Sequence, residues 1–192
     1  KKMKKITKSI IFTLLFFTSC MMLPAENIVS KDYYSTENID TISVDLTYEN
    51  IEIKTTNGSE ILVEIASNYS KKIPEVCIEE NKLLIKTTSN KKWYTGNICT
   101  VYVYLPTDFF PKVSTIQVTS GEVFIDNLET DELTVGSASG DIKVLFTNAK
   151  DKIELSAASG EIEFETGKTT KFSAKTASGD ILIKQLTSNE IL

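Results

Sequence analysis

The chain has 192 residues, 41% hydrophobic and 24% charged, with a formal net charge of −5, no histidine, and lysine as its only basic residue. Without histidine, Ser-His-Asp and Cys-His nucleophiles are excluded and the commonest metal ligand is missing. The acid excess excludes nucleic acid and anionic lipid as natural partners.

Residues 1–25 read as a targeting signal. Lys1, Lys2, Lys4, Lys5 and Lys8 precede an apolar run, Ile10 to Phe17, too short to span a bilayer, which takes about 20 residues. Two processing sites compete. Phe17-Thr18-Ser19-Cys20 is a loose lipoprotein box with Cys20 as the lipid-attachment candidate, and Leu23-Pro24-Ala25 is an imperfect small-residue site. Either route exports the chain. Loss of the segment takes five lysines and no acid, so the formal charge falls from −5 to −10.

Residues 26–110 form an irregular β part. Ile42-x-Val44-x-Leu46, Ile51-x-Ile53, Ile61-x-Val63-x-Ile65, Leu83-Leu84-Ile85 and Val101-x-Val103-x-Leu105 alternate with period two. Asn57-Gly58 is a hairpin-type turn between two of these runs. Cys77 and Cys99 both fall in strand-like runs, so an exported chain could pair them as a disulfide. The alternative is two buried thiols packed as small apolar residues. Trp93 follows two lysines in a polar loop. Tyr102 and Tyr104 share one strand face, opposite Val101, Val103 and Leu105. These aromatics could stack on sugars or on a protein; the commoner outcome for such a pair is packing across a two-sided sheet.

Residues 111–192 follow a regular beat. Ser120-Gly121-Glu122, Ser139-Gly140-Asp141, Ser159-Gly160-Glu161 and Ser178-Gly179-Asp180 recur at spacings of 19, 20 and 19. Each is followed by an apolar-x-apolar triplet, from Val123-Phe124-Ile125 to Ile181-Leu182-Ile183, and a second short apolar pair recurs later in each unit. A fixed period near twenty predicts coils of strand, turn, strand, turn stacked on one another. The expected fold is all-β, a single-stranded β-solenoid or β-helix-like stack with coils of 19–20 residues. Glycine is expected at the turn for its tolerance of positive φ. Val123, Ile142, Ile162 and Ile181 face inward, and Phe124, Lys143, Glu163 and Leu182 outward. Ile191 falls 19 residues after Phe172, so a further unit begins and stops, either as an incomplete last coil or as the edge of a longer protein.

Stacking places Glu122, Asp141, Glu161 and Asp180 in one column. Carboxylates ~4.8 Å apart in water repel by roughly 0.9 kcal/mol, which a solvated edge tolerates. The spacing is not the nonapeptide calcium repeat and the Asn/Asp-rich ligand loop is missing, so no metal or other cofactor is expected. Glu161, Glu163, Glu165 and Asp141 could pose as the paired carboxylates of a polysaccharide-cleaving enzyme. Their alternation marks a solvated strand face instead.

In order along the chain, Ile42-x-Val44, Ile51-Glu52-Ile53, Leu83-x-Ile85, the run Val101 to Pro106 and the Ser-Gly-acid repeats resemble a bacterial family of β-strand-repeat proteins called putative adhesins. The resemblance covers residues 36–192. It implies a β-solenoid-like, exported, non-enzymatic protein, with no catalytic residues to carry over; related members accompany cell-envelope stress operons. The expected function is a binding or structural module of the cell envelope, outer-membrane, periplasmic or surface-exposed. The alternative is a periplasmic stress or assembly accessory. Expected partners are a protein or a glycan of the envelope or a host surface, with a membrane tether through Cys20 and self-association open. Tyr102, Tyr104, Trp93 and Phe124 are the binding-face candidates.

Overall fold

The computed structural model describes residues 27–69, 73–87 and 97–192, and within them every regular element is a strand. Cys20 and Trp93 lie outside the described residues. The strands are β1 (Asn27–Ser35), β2 (Thr41–Leu46), β3 (Asn50–Thr56), β4 (Glu60–Ser67), β5 (Glu75–Glu79), β6 (Lys82–Lys86), β7 (Cys99–Pro106), β8 (Val113–Val118), β9 (Val123–Ser137), β10 (Ile142–Ser159), β11 (Ile162–Ser178) and β12 (Ile181–Ile191).

All twelve belong to one curled sheet. The curl comes from the long strands. The start of β9 pairs in parallel with β3 through Ile51↔Val123 and Ile53↔Ile125, and its end pairs with β8 through Leu133↔Ser114 and Val135↔Ile116. One strand thus serves two flanks. β10, β11 and β12 add to it in parallel, with register interruptions between Ala149 and Lys152 and between Asn148 and Lys152 where the chain bends. One flank runs β1-β4-β7-β3 into the first halves of β9 to β12. The other runs β5-β6-β2-β8 into their second halves.

The period-two pattern explains what fills the curl. Inward residues of both flanks form one core, from Ile42, Val44, Ile51 and Ile53 through Val101 and Val103 to Ile142, Val144, Ile153, Ile162, Phe164 and Phe172. Phe164 and Phe172 meet edge to face, with centroids 5.1 Å apart, across the last closed coil. Beyond them the inward column is open, and Ile181 is 40% exposed.

Three expectations need correction. A uniform single-stranded stack does not describe the first half, where β1/β4, β4/β7 and β5/β6 are antiparallel. Asn57-Gly58 does not close a hairpin, because β7 inserts between β3 and β4 and pairs with both. Both backbone edges of β7 are paired, one in parallel with β3 and the other antiparallel with β4. Cys77 and Cys99 are not bonded to each other. Cys77 is on β5, which pairs with β6, while Cys99 is buried on β7 in the other flank.

The role of the repeated glycine also changes. Of the four, Gly179 alone has positive φ. A Cβ on Gly140 would lie 2.6 Å from the carbonyl carbon of Gly121, one on Gly160 3.0 Å from that of Gly140, and one on Gly179 2.8 Å from that of Gly160. The column begins earlier than the repeats do, since a Cβ on Gly121 would lie 2.6 Å from the carbonyl carbon of Glu49. Close backbone approach between coils, not turn conformation, demands glycine at Gly121, Gly140 and Gly160.

Candidate functional site

Strand register gathers the outward residues of the β1-side flank into rows. One row crosses eight strands: Lys31, Glu64, Tyr102, Glu52, Phe124, Lys143, Glu163 and Leu182. A second holds Tyr33, Leu62, Tyr104 and Lys54. Successive side chains on a strand point to opposite faces, so Val101, Val103 and Leu105 anchor β7 in the core while Tyr102 and Tyr104 stand outside it.

Tyr102 and Tyr104 stack with centroids 6.5 Å apart and ring planes 23° apart. The Lys54 ammonium sits 5.3 Å from the Tyr102 centroid and pairs with Glu52 at 2.7 Å. Glu52 separates Tyr102 from Phe124, two strands or roughly 10 Å away. Tyr33, 55% exposed, extends the aromatic surface toward the β1 edge, where Lys31 lies 5.8 Å from its ring centroid and 2.8 Å from Glu64. The structure thus places Tyr102, Tyr104 and Phe124 on one face. The cross-strand neighbours of the two tyrosines are Leu62, Glu64, Glu52 and Lys54, a mixed and half-buried set, so the pair does pack across the sheet on its outer face. Tyr33, Leu62, Glu52 and Lys54 were not singled out from the sequence. Their signal was the alternation itself, since Ile51-x-Ile53 inward forces Glu52 and Lys54 outward.

Further along the row, Glu163 pairs with Lys143 at 2.6 Å and with Lys184 at 3.0 Å, and Lys184 also bonds Glu165. The Lys143 and Lys184 ammonium groups hold the Glu163 carboxyl down to about 2. Lys184 is raised in turn by Glu165 and Glu163. Glu163 is thereby held as the ionised form that its lysine partners favour, and Glu163 and Glu165 are charge partners of Lys143 and Lys184 on the strand surface.

Glu122, Asp141, Glu161 and Asp180 are all exposed along one corner. Their carbonyl oxygens each accept the same bond, from the backbone N–H of Ile51, Val123, Ile142 and Ile162, at 2.9 Å every time. The Asp141 carboxylate accepts from the Glu161 N–H at 2.8 Å, and Asn50 does the same for Glu122 at 2.9 Å. Asn50 therefore holds the first place in the acid column. Ser120, Ser139, Ser159 and Ser178 are exposed beside it, and the hydroxyl that accepts from the Gly140 N–H is that of Ser137, at 2.7 Å. A shallow groove of about 220 Å³ lies between this corner and Phe124, Lys143 and Glu163. Among the described residues no cluster of three or more potential metal ligands occurs, and no helix is long and apolar enough to cross a membrane.

Comparison with solved structures finds an adhesin-named protein of similar fold. A putative adhesin from Parabacteroides distasonis is 17% identical with a TM-score of 0.51, over 84% of this chain and 76% of that one. A putative adhesin from Parabacteroides merdae is 14% identical with a TM-score of 0.49, over 84% and 75%. A putative cell adhesion protein from Clostridium sporogenes is 11% identical with a TM-score of 0.47, over 87% and 98%. No curated protein matches. The family comparison matches residues 39–191, nearly the whole described body, and the chain belongs to the Toastrack DUF4097 family.

Proposed function

We propose that this chain is an exported, non-enzymatic protein of the cell envelope that works as an adhesin-like binding module through the outer face of its β1-side flank. The observation that carries this reading is the gathering of Tyr102, Tyr104 and Phe124, each half-buried, and the exposed Tyr33 on the outer face of one flank. Flat aromatic surface of this kind supplies contact area at little cost in side-chain entropy. The fold shared with an adhesin-named protein is in keeping with it.

Each long strand then acts as one coil of a β-solenoid that displays this face, and the rigid backbone holds the rings in register. The apolar run from Ile10 to Phe17 supplies the export signal, and Cys20 is the point of lipid attachment. The test is external protease on intact cells that produce the chain, followed by blot. Degradation with a periplasmic control intact is expected. Full protection with permeabilised cells as the positive control would place the chain inside the envelope and defeat the adhesin reading.

A further inference from the structure

Every charge in the two aromatic rows is matched within those rows. Lys31 pairs with Glu64 at 2.8 Å, Lys54 with Glu52 at 2.7 Å and Lys143 with Glu163 at 2.6 Å. The chain as a whole is acidic, at −5. The two rows are therefore neutral in themselves, and the exposed acid column Glu122, Asp141, Glu161 and Asp180 borders them beside Phe124. An acidic partner would be repelled by that column, and a basic one would compete with Lys31, Lys54 and Lys143 for their paired glutamates. A neutral partner leaves them in place.

Ring geometry adds to this. Tyr102 and Tyr104 present nearly parallel planes, and Phe124 and Tyr33 continue the apolar surface on either side. Paired lysines and glutamates between the rings leave ammonium donors and carboxylate acceptors within reach of a ligand rich in hydroxyl groups. Apolar C–H faces against rings and hydroxyls against paired charges describe an uncharged carbohydrate.

We infer that the Tyr33, Tyr102, Tyr104 and Phe124 face binds neutral polysaccharide. This inference rests on the binding-module reading and specifies its ligand. The experiment is affinity electrophoresis of the full chain through gels containing xylan, mannan or soluble cellulose ether as neutral probes, and polygalacturonate or hyaluronate as acidic ones. Retardation by at least one neutral probe is expected, unchanged in 0.5 M salt. It should weaken at least tenfold in Tyr102→Ala with Tyr104→Ala, and also in Phe124→Ala, with circular dichroism and melting temperature held as the control for folding. Lys175→Ala, on the opposite flank, should bind as the parent does. Retardation by acidic probes alone, loss of binding in salt, or neutral binding that survives both ring variants would overturn the inference. So would failure of all three neutral probes. If the chain still attached to protein-coated surfaces while no neutral glycan retarded it, the binding-module reading would stand with a protein as its partner.

Discussion

Glycine at a β corner invites an explanation from backbone freedom, yet Gly121, Gly140 and Gly160 are required by contact. Any Cβ at Gly140 would enter the backbone of the coil before it, which cannot yield as a side chain end would. Gly140→Ala should therefore destabilise by at least about 3 kcal/mol in urea unfolding. Gly58→Ala, where a Cβ would meet ordinary contacts of 3.7 Å with Thr56, should stay within about 1 kcal/mol of the parent. Equal effects would remove close approach as the cause. Glu49 is the buried counterpart at the first corner. Its Oε2 accepts from the Thr47 and Tyr48 N–H groups at 3.0 Å each and from the Thr87 hydroxyl at 2.7 Å, tying β2 to the end of β6. Glu49→Ala removes these three bonds, although the Thr47 N–H keeps its 3.0 Å bond to the Thr87 hydroxyl, and should cost about 2–4 kcal/mol by the same unfolding measurement. Glu163 gives a pH signature. Its carboxyl is depressed from 4.5 to about 2 by Lys143 and Lys184, so its ion-pair contribution is whole above pH 4.5 and is lost as pH falls toward 2. Carboxyl NMR should show a Glu163 midpoint near 2, and a midpoint near 4.5 would deny the paired geometry.

At the scale of strands, one column position has different worth in different coils. Ile142 and Ile181 occupy the same inward column, with Ile162 between them, but Ile142 is fully buried and Ile181 is 40% exposed. Ile142→Ala should cost about 2–5 kcal/mol and Ile181→Ala well under half of that, read from unfolding midpoints. Similar costs would mean that Ile181 is covered in solution. The repeats were legible in the sequence because both the alternation and the corner phrase are local. The pairing Ile142↔Ile162↔Ile181 follows from spacing alone. The first half was not legible in the same way. Insertion of β7 between β3 and β4 depends on which edge wins across some forty residues of chain, and no turn residue encodes that choice. Glu49 and Asn50 were hidden for another reason. They occupy the repeat's corner without a Ser-Gly to mark it, so the first coil could be found only by its hydrogen bonds.

At the scale of the molecule, the fold separates two tasks. Inward columns close one core across both flanks, and the stack can therefore present long, regular rows outward without loops. Tyr102 and Tyr104 were legible as one face from their spacing. Phe124 was grouped with them as a candidate, but the strand order that joins it to them, and the addition of Tyr33, were not legible, because the sequence does not state which strands neighbour one another. The face, rather than any single residue, is the functional unit proposed here. The most direct test compares beads coated with the parent chain and with Tyr102→Ala, Tyr104→Ala and Phe124→Ala combined, in attachment to envelope or host-cell surfaces under flow. The account predicts attachment by the parent and at least a tenfold fall in the variant at equal coating and equal melting temperature. Equal attachment by the two would contradict the assignment of binding to this face.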